Sequence, residues 1–101
     1  MMANIKIKSR TNNLGYHFNI EITDQHGFSS HRVTMDRDFV TRIGANYEPE
    51  LVVRKSFEFL LSKEPKEKIL EEFDLTVISQ FFPEYISTLE KILQSDPIPH
   101  D

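Results

Sequence analysis

Two hydrophobic periods divide the chain. Near the start, Ile5 and Ile7 alternate with Lys6 and Lys8, and then Tyr16, Phe18, Ile20 and Ile22 alternate with His17, Asn19, Glu21 and Thr23. A period of two is what a strand requires when one of its faces is buried and the other is wet. A third run, Phe28 to Met35, is rich in Ser and Thr and less regular, yet it keeps Val33 and Met35 on alternate positions. Asn12, Asn13 and Gly15 separate the first two runs, and Asp24-Gln25-His26-Gly27 precedes the third. These residues tolerate a reversing backbone. The pattern predicts a three-stranded antiparallel β-meander over about residues 4–10, 15–23 and 28–35.

Register follows from asking which pairings keep apolar residues opposite one another. A turn that sets Thr23 against Phe28 brings Phe18 to Val33 and Tyr16 to Met35. A turn that sets Arg10 against Gly15 brings Ile7 to Phe18 and Ile5 to Ile20. Both turns place the apolar side chains on one sheet face. The opposite face then carries Lys6, Lys8, His17, Asn19, Glu21, Ser30, Arg32 and Thr34, with Asn19 flanked by Lys6 and Arg32. That face is polar and mildly basic.

From Asp36 onward the apolar period lengthens to that of helices. Asp36 is a suitable N-cap, with Met35 and Val40 in hydrophobic-staple spacing and Gly44 as the stop. Pro49 suits a first helical turn, and Leu51 to Leu61 follow it. Val53, Phe57, Leu60 and Leu61 lie on one side of that helix and Val52 and Phe59 on another, so it is expected to be the central packing element. Pro65 opens a turn toward Ile69, Leu70 and Phe73. Asp74 can cap a segment holding Leu75, Ile78, Phe81 and Phe82, and Pro83 restarts the chain into Tyr85, Ile86, Leu89, Ile92 and Leu93. The expected fold is α+β, with the meander followed by four or five short helices packed on one sheet face. Residues 1–93 form one domain, and 94–101, with two prolines and no period, form a flexible tail.

Composition narrows the chemistry. With 101 residues and 39% hydrophobic side chains, the chain can bury a core of its own. It holds no cysteine, which excludes disulfides, thiolate zinc sites, iron–sulfur clusters and a cysteine nucleophile. The first residues contain no apolar signal segment, no apolar run reaches the roughly 18 residues that span a bilayer, and the last residues carry no lipidation signal. A cytoplasmic protein without membrane contact is expected. The net charge of −4 is uneven: residues 1–45 sum to +2 and residues 46–101 to −6.

Catalytic constellations are not evident. His17 projects from the polar face and His31 from the apolar one, His26 lies in a turn and His100 in the tail, so the four histidines do not converge on a metal. Glu71, Glu72 and Asp74 read as a solvated helix end, because helical neighbours one apart diverge by about 100°. No Gly-x-Ser-x-Gly elbow occurs, and the three glycines sit at turns or helix stops rather than in a phosphate-binding loop.

The pattern Phe57-Glu58-Phe59-Leu60-Leu61, Glu64-Pro65, Ile69-Leu70, Phe73-Asp74-Leu75, Ile78 and Phe82-Pro83-Glu84-Tyr85, with the run His31-Arg32-Val33-Thr34, resembles that of small bacterial proteins of about this length. The resemblance implies a bacterial origin and brings no activity and no catalytic residues. A meander followed by helices is also similar, as a fold alone, to antitoxin-type and other small regulatory domains.

These readings converge on a non-enzymatic protein-interaction or regulatory module that needs no metal or cofactor. Its expected partner is another protein or a second copy of itself. A homodimer is expected because the apolar girth of the Leu51–Leu61 helix exceeds what a small sheet covers. Lys6, Lys8, Arg10, Asn19 and Arg32 are the candidate partner-binding residues. The alternative is an antitoxin-like nucleic-acid-binding regulator using the same basic face, although that face offers no aromatic side chain on which a base could stack.

Overall fold

The structure, a computed structural model, describes residues 4–11, 15–44 and 47–95. Its elements are β1 (Asn4–Thr11), β2 (Gly15–Asp24), β3 (Gly27–Asp36), α1 (Arg37–Gly44), α2 (Pro49–Lys63), a single 3-10 turn (Lys66–Lys68), β4 (Glu72–Asp74), α3 (Thr76–Phe81) and α4 (Tyr85–Ser95). The meander forms as the alternation predicts. Asp24 and Gly27 close the second hairpin, in which the Asp24 carboxylate accepts the His26 backbone N–H at 2.8 Å and Gly27 takes a positive φ of 125°. Along β2 and β3, Phe18, Ile20, Ile22, Val33 and Met35 are buried, whereas His17, Asn19, Glu21 and Arg32 are exposed. The pairs Phe18–Val33 and Tyr16–Met35 stand opposite one another as expected.

Two corrections concern the sheet. In the first hairpin Ile7 pairs with Ile20 and Ile5 with Ile22, two residues away from the expected register. A shift of two preserves which face each side chain occupies, so the apolar pattern satisfies both pairings equally. At the near end of β2, a Cβ on Gly15 would meet the Met35 carbonyl oxygen at 2.6 Å, so this position requires glycine for close backbone approach. The turn residues Asn12 and Asn13 lie outside the described residues.

The sheet also has four strands rather than three, in the order β1-β2-β3-β4, with β4 parallel to β3. The chain leaves β3, crosses over through α1 and α2, and returns beside β3, the type of long connection a parallel pair demands. Arg32 N–H donates to the Glu71 carbonyl at 2.7 Å, and Leu75 N–H to the Thr34 carbonyl at 3.0 Å. His31 reinforces the join from the apolar side. Its Nδ1 donates to the Leu70 carbonyl at 2.7 Å, and its Nε2 lies 2.8 Å from the Ser29 hydroxyl.

Helix α2 begins with Pro49 in its first turn and runs two residues past Leu61. Its apolar girth is closed within this chain. Phe57 packs on His31 and Phe73 at ring separations of 5.7 and 5.9 Å, while Phe59 meets Phe82 and Tyr85 of the C-terminal helical region at 5.8 and 5.5 Å. The girth that motivates a homodimer is thus covered by the sheet on one side and by α4 on the other. Tyr85, Leu89 and Leu93 supply the buried stripe of α4. Phe81, grouped by the sequence pattern with Leu75, Ile78 and Phe82, is 65% exposed at the end of the short helix α3. Asp36 precedes α1 as expected. The Val40 side chain of the expected staple lies outside the described residues, as does the tail from residue 96, and α4 itself extends through Ser95.

One polar pair sits inside the core. Ser56 donates to the Val52 carbonyl at 2.8 Å, which uses its only hydrogen, so the Tyr85 hydroxyl is the donor in the 2.6 Å bond between the two side chains. Burial pushes the Tyr85 phenol pKa well up, with the Ser56 bond opposing it. Tyr85→Phe is expected to cost about 0.5–1.5 kcal/mol in denaturant unfolding, because Ser56 retains its backbone bond. A loss above about 3 kcal/mol would show that the hydroxyl pair organises the core rather than fitting into it.

Lys66 clamps the 3-10 turn to the β2–β3 hairpin. Its side chain is only 1% exposed, and its ammonium meets the Asp24 carboxylate at 2.9 Å together with that of Glu67. Hydrogen bonds that Lys66 donates to Glu67 and then to Asp24 raise its pKa, and Lys66 holds both carboxyl groups below their usual range. A depressed carboxyl pKa contributes stability that is present above the unfolded value near 4 and lost as pH falls through the folded value. Stability should therefore decline from about pH 4 downward, and Asp24→Asn should flatten that decline. An unchanged acid limb in the variant would remove Asp24 as a contributor.

Candidate functional site

Because α1 and α2 pack on the apolar face, with α4 against α2, the other face of the sheet is left open. Strand β1 contributes Lys6, Lys8 and Arg10, β2 contributes Glu21, Asn19 and His17, and β3 contributes Ser30, Arg32 and Thr34. Of the five candidate residues, all are exposed and all stand on this face. Their arrangement differs in one respect from expectation: Asn19 lies between Lys8 and Arg32, while Lys6 stands opposite Glu21. The two-residue shift in the first hairpin is the cause.

The fourth strand changes the electrostatics. Glu72 and Asp74, expected on a helix end, lie on β4, where residues two apart share a face. Glu72 pairs with Arg32 at 3.3 Å, with both side chains about two-thirds exposed or more (71% and 68%), so water screens the pair and it adds little to stability. Asp74 accepts the Thr34 hydroxyl at 2.6 Å, the Thr76 hydroxyl at 2.6 Å and the Thr76 N–H at 3.1 Å, so it ties down the first residue of α3, while Leu75 and not Asp74 holds the N-cap position. Burial raises its pKa, but these donors outweigh burial and hold it below the usual carboxylate value.

The open face is therefore polarised, with three cations along the β1 edge and two carboxylates along the β4 edge. Between them lies a broad depression of about 560 Å³, walled by Arg10, His17, Asn19, Arg32, Thr34 and Glu72. Exposed, solvated charges of both signs suit ion pairing and hydrogen bonding with a partner. Sequence reasoning missed the acidic edge. The available signal was the alternation of Glu72 and Asp74 with Phe73 and Leu75, a short period of two set among helical segments.

His17 and His31 are separated by the sheet itself, the first on the open face and the second beneath the apolar one. A second, smaller hollow of about 160 Å³ is mainly apolar and lies among Leu60, Ile69, Phe73, Ile78 and Phe82, with Glu64 and Lys68 also lining it. No helix among the described residues is long and apolar enough to cross a membrane. No protein-family model, curated protein or solved structure matches the chain.

Proposed function

We propose that this chain is a non-enzymatic interaction or regulatory module of the bacterial cytoplasm that binds a protein partner through the open face of its sheet. One observation supports the reading: the helices cover one face of a four-stranded sheet, and its other face presents Lys6, Lys8, Arg10, Asn19 and Arg32 to solvent, with Arg10, Asn19 and Arg32 lining a depression. A solvated sheet face needs no such concentration of cations at one edge. Charge of this kind raises encounter rates and sets orientation more than it raises affinity.

The test exploits the separation of binding from folding. Lys6→Glu, Lys8→Glu and Arg32→Gln are expected to change stability by no more than about 0.5 kcal/mol each, since none is a core contact. Together they should abolish capture of the partner from the source cell's extract while the thermal midpoint barely moves. Capture that survives all three substitutions would move the search to the apolar hollow. The nucleic-acid alternative has its own signature, because retention on heparin or duplex DNA weakens steeply and linearly in log salt. Glu72 and Asp74 on the far edge weigh against that alternative.

A further inference from the structure

We propose that the outer edge of β1 docks an extended acidic segment of a partner protein, which adds to the sheet as a further strand. The inference rests on the interaction reading and names the partner's chemistry. Among the described residues β1 is an edge strand, paired on one side only. The Ile5 carbonyl is taken by Arg54 of α2 at 2.9 Å, which fixes the direction in which the odd-numbered residues aim their backbone groups. Since successive residues alternate sides, Ile7 and Ser9 point their N–H and C=O outward as well, in position for a new ladder.

Two further observations specify what comes alongside. Ile5 and Ile7 are only half-buried, whereas Ile20 and Ile22 on the neighbouring strand are 0% exposed, so the apolar layer is unfinished at this edge. On the opposite face the same strand shows Lys6, Lys8 and Arg10, all exposed. An added strand completes both faces if its residues alternate apolar with acidic, because directly opposed side chains interact most strongly.

A second copy of this chain does not meet that requirement. Pairing β1 with itself about a two-fold axis, in any register that keeps the apolar faces together and pairs five or more of its residues, sets Lys6 against Lys6, Lys6 against Lys8, Lys8 against Lys8 or Lys8 against Arg10. Cations on an edge strand repel such self-pairing while leaving an acidic strand welcome.

The experiment uses the full chain and a synthetic peptide of about nine residues that alternates glutamate with valine, the length of an ordinary strand. Binding should slow hydrogen exchange at the Ile7 and Ser9 amides by about tenfold or more, since each gains a hydrogen bond. The double variant Lys6→Glu with Lys8→Glu should lose the acidic peptide and take up one in which lysine replaces glutamate. The proposal fails if the acidic peptide does not bind, if it binds without slowing those two amides, or if a version with a central proline binds equally well. It also fails if the amides slow with rising protein concentration in the absence of peptide, which would identify a second copy as the occupant. A negative result at these amides, alongside partner capture that the triple substitution Lys6→Glu, Lys8→Glu and Arg32→Gln abolishes, would reject strand addition alone and leave the interaction reading standing.

Discussion

Replacing Phe57 by alanine is expected to lower stability by about 3–5 kcal/mol in denaturant unfolding, a large part of the 5–15 kcal/mol typical of a domain. The ring is fully buried on the face of α2 that meets the sheet. It touches the His31 ring on β3 and the Phe73 ring on β4, so its removal leaves a cavity at the point where three elements join. Neither neighbour can relax far into the space: His31 is held by hydrogen bonds at both ring nitrogens, and Phe73 lies on a strand paired to β3. Partial collapse is what lowers the cost of such truncations, and this site resists it. A loss below about 1 kcal/mol would show that the ring is not the wedge between helix and sheet.

The second large effect is expected at His31. Substitution by leucine keeps an apolar residue of moderate size on β3 but removes the donor to the Leu70 carbonyl and the partner of the Ser29 hydroxyl. Stranding those groups should cost about 1–3 kcal/mol. The more telling readout is local. His31 Nδ1 is the side-chain tie that brings the segment before β4 onto β3, so exchange at the Arg32 and Leu75 amides, which form the β3–β4 backbone bonds, should accelerate well before global unfolding. Exchange at the β2–β3 amides should remain unchanged. Uniform acceleration throughout the sheet would instead mean that His31 supports the core as a whole and does not specifically hold the fourth strand.

Loss of β4 would also erase the acidic edge of the open face. Arg32 would then lose Glu72, and Thr34 would lose Asp74, leaving the cations of that face with Glu21 beside them and no acidic edge opposite. Stability of the short parallel pair is thus linked to the charge pattern a partner meets. Variants at His31 should be checked for this before any change in binding is assigned to direct contact.

Elements governed by neighbours in sequence were legible from the sequence alone. The alternation of Tyr16 to Thr23 specifies a half-buried strand, and the Asp24–Gly27 turn sets the β2–β3 register, because the turn joins those two strands directly. The apolar stripes of α2 and α4 and the first-turn role of Pro49 are equally local. The five candidate residues could be assigned to one face for the same reason: parity along a strand survives any even shift in pairing.

What needed the tertiary structure are the relations that parity and period leave degenerate. The first hairpin could slide by two residues without exposing one apolar side chain, so Asn19 acquires Lys8 rather than Lys6 as its neighbour only once β1 and β2 are paired. Strand β4 has three residues, so its brief alternation does not outweigh the helical pattern around it, and its side-chain partners Arg32 and Thr34 are 40 positions away. Its pairing is stabilised by a backbone ladder, a buried imidazole and the Phe57 ring, none of which is encoded within the segment itself. The acidic edge, and with it the polarity of the open face, exists only because those long-range contacts hold Glu72 and Asp74 beside a strand that local sequence describes as ending the sheet.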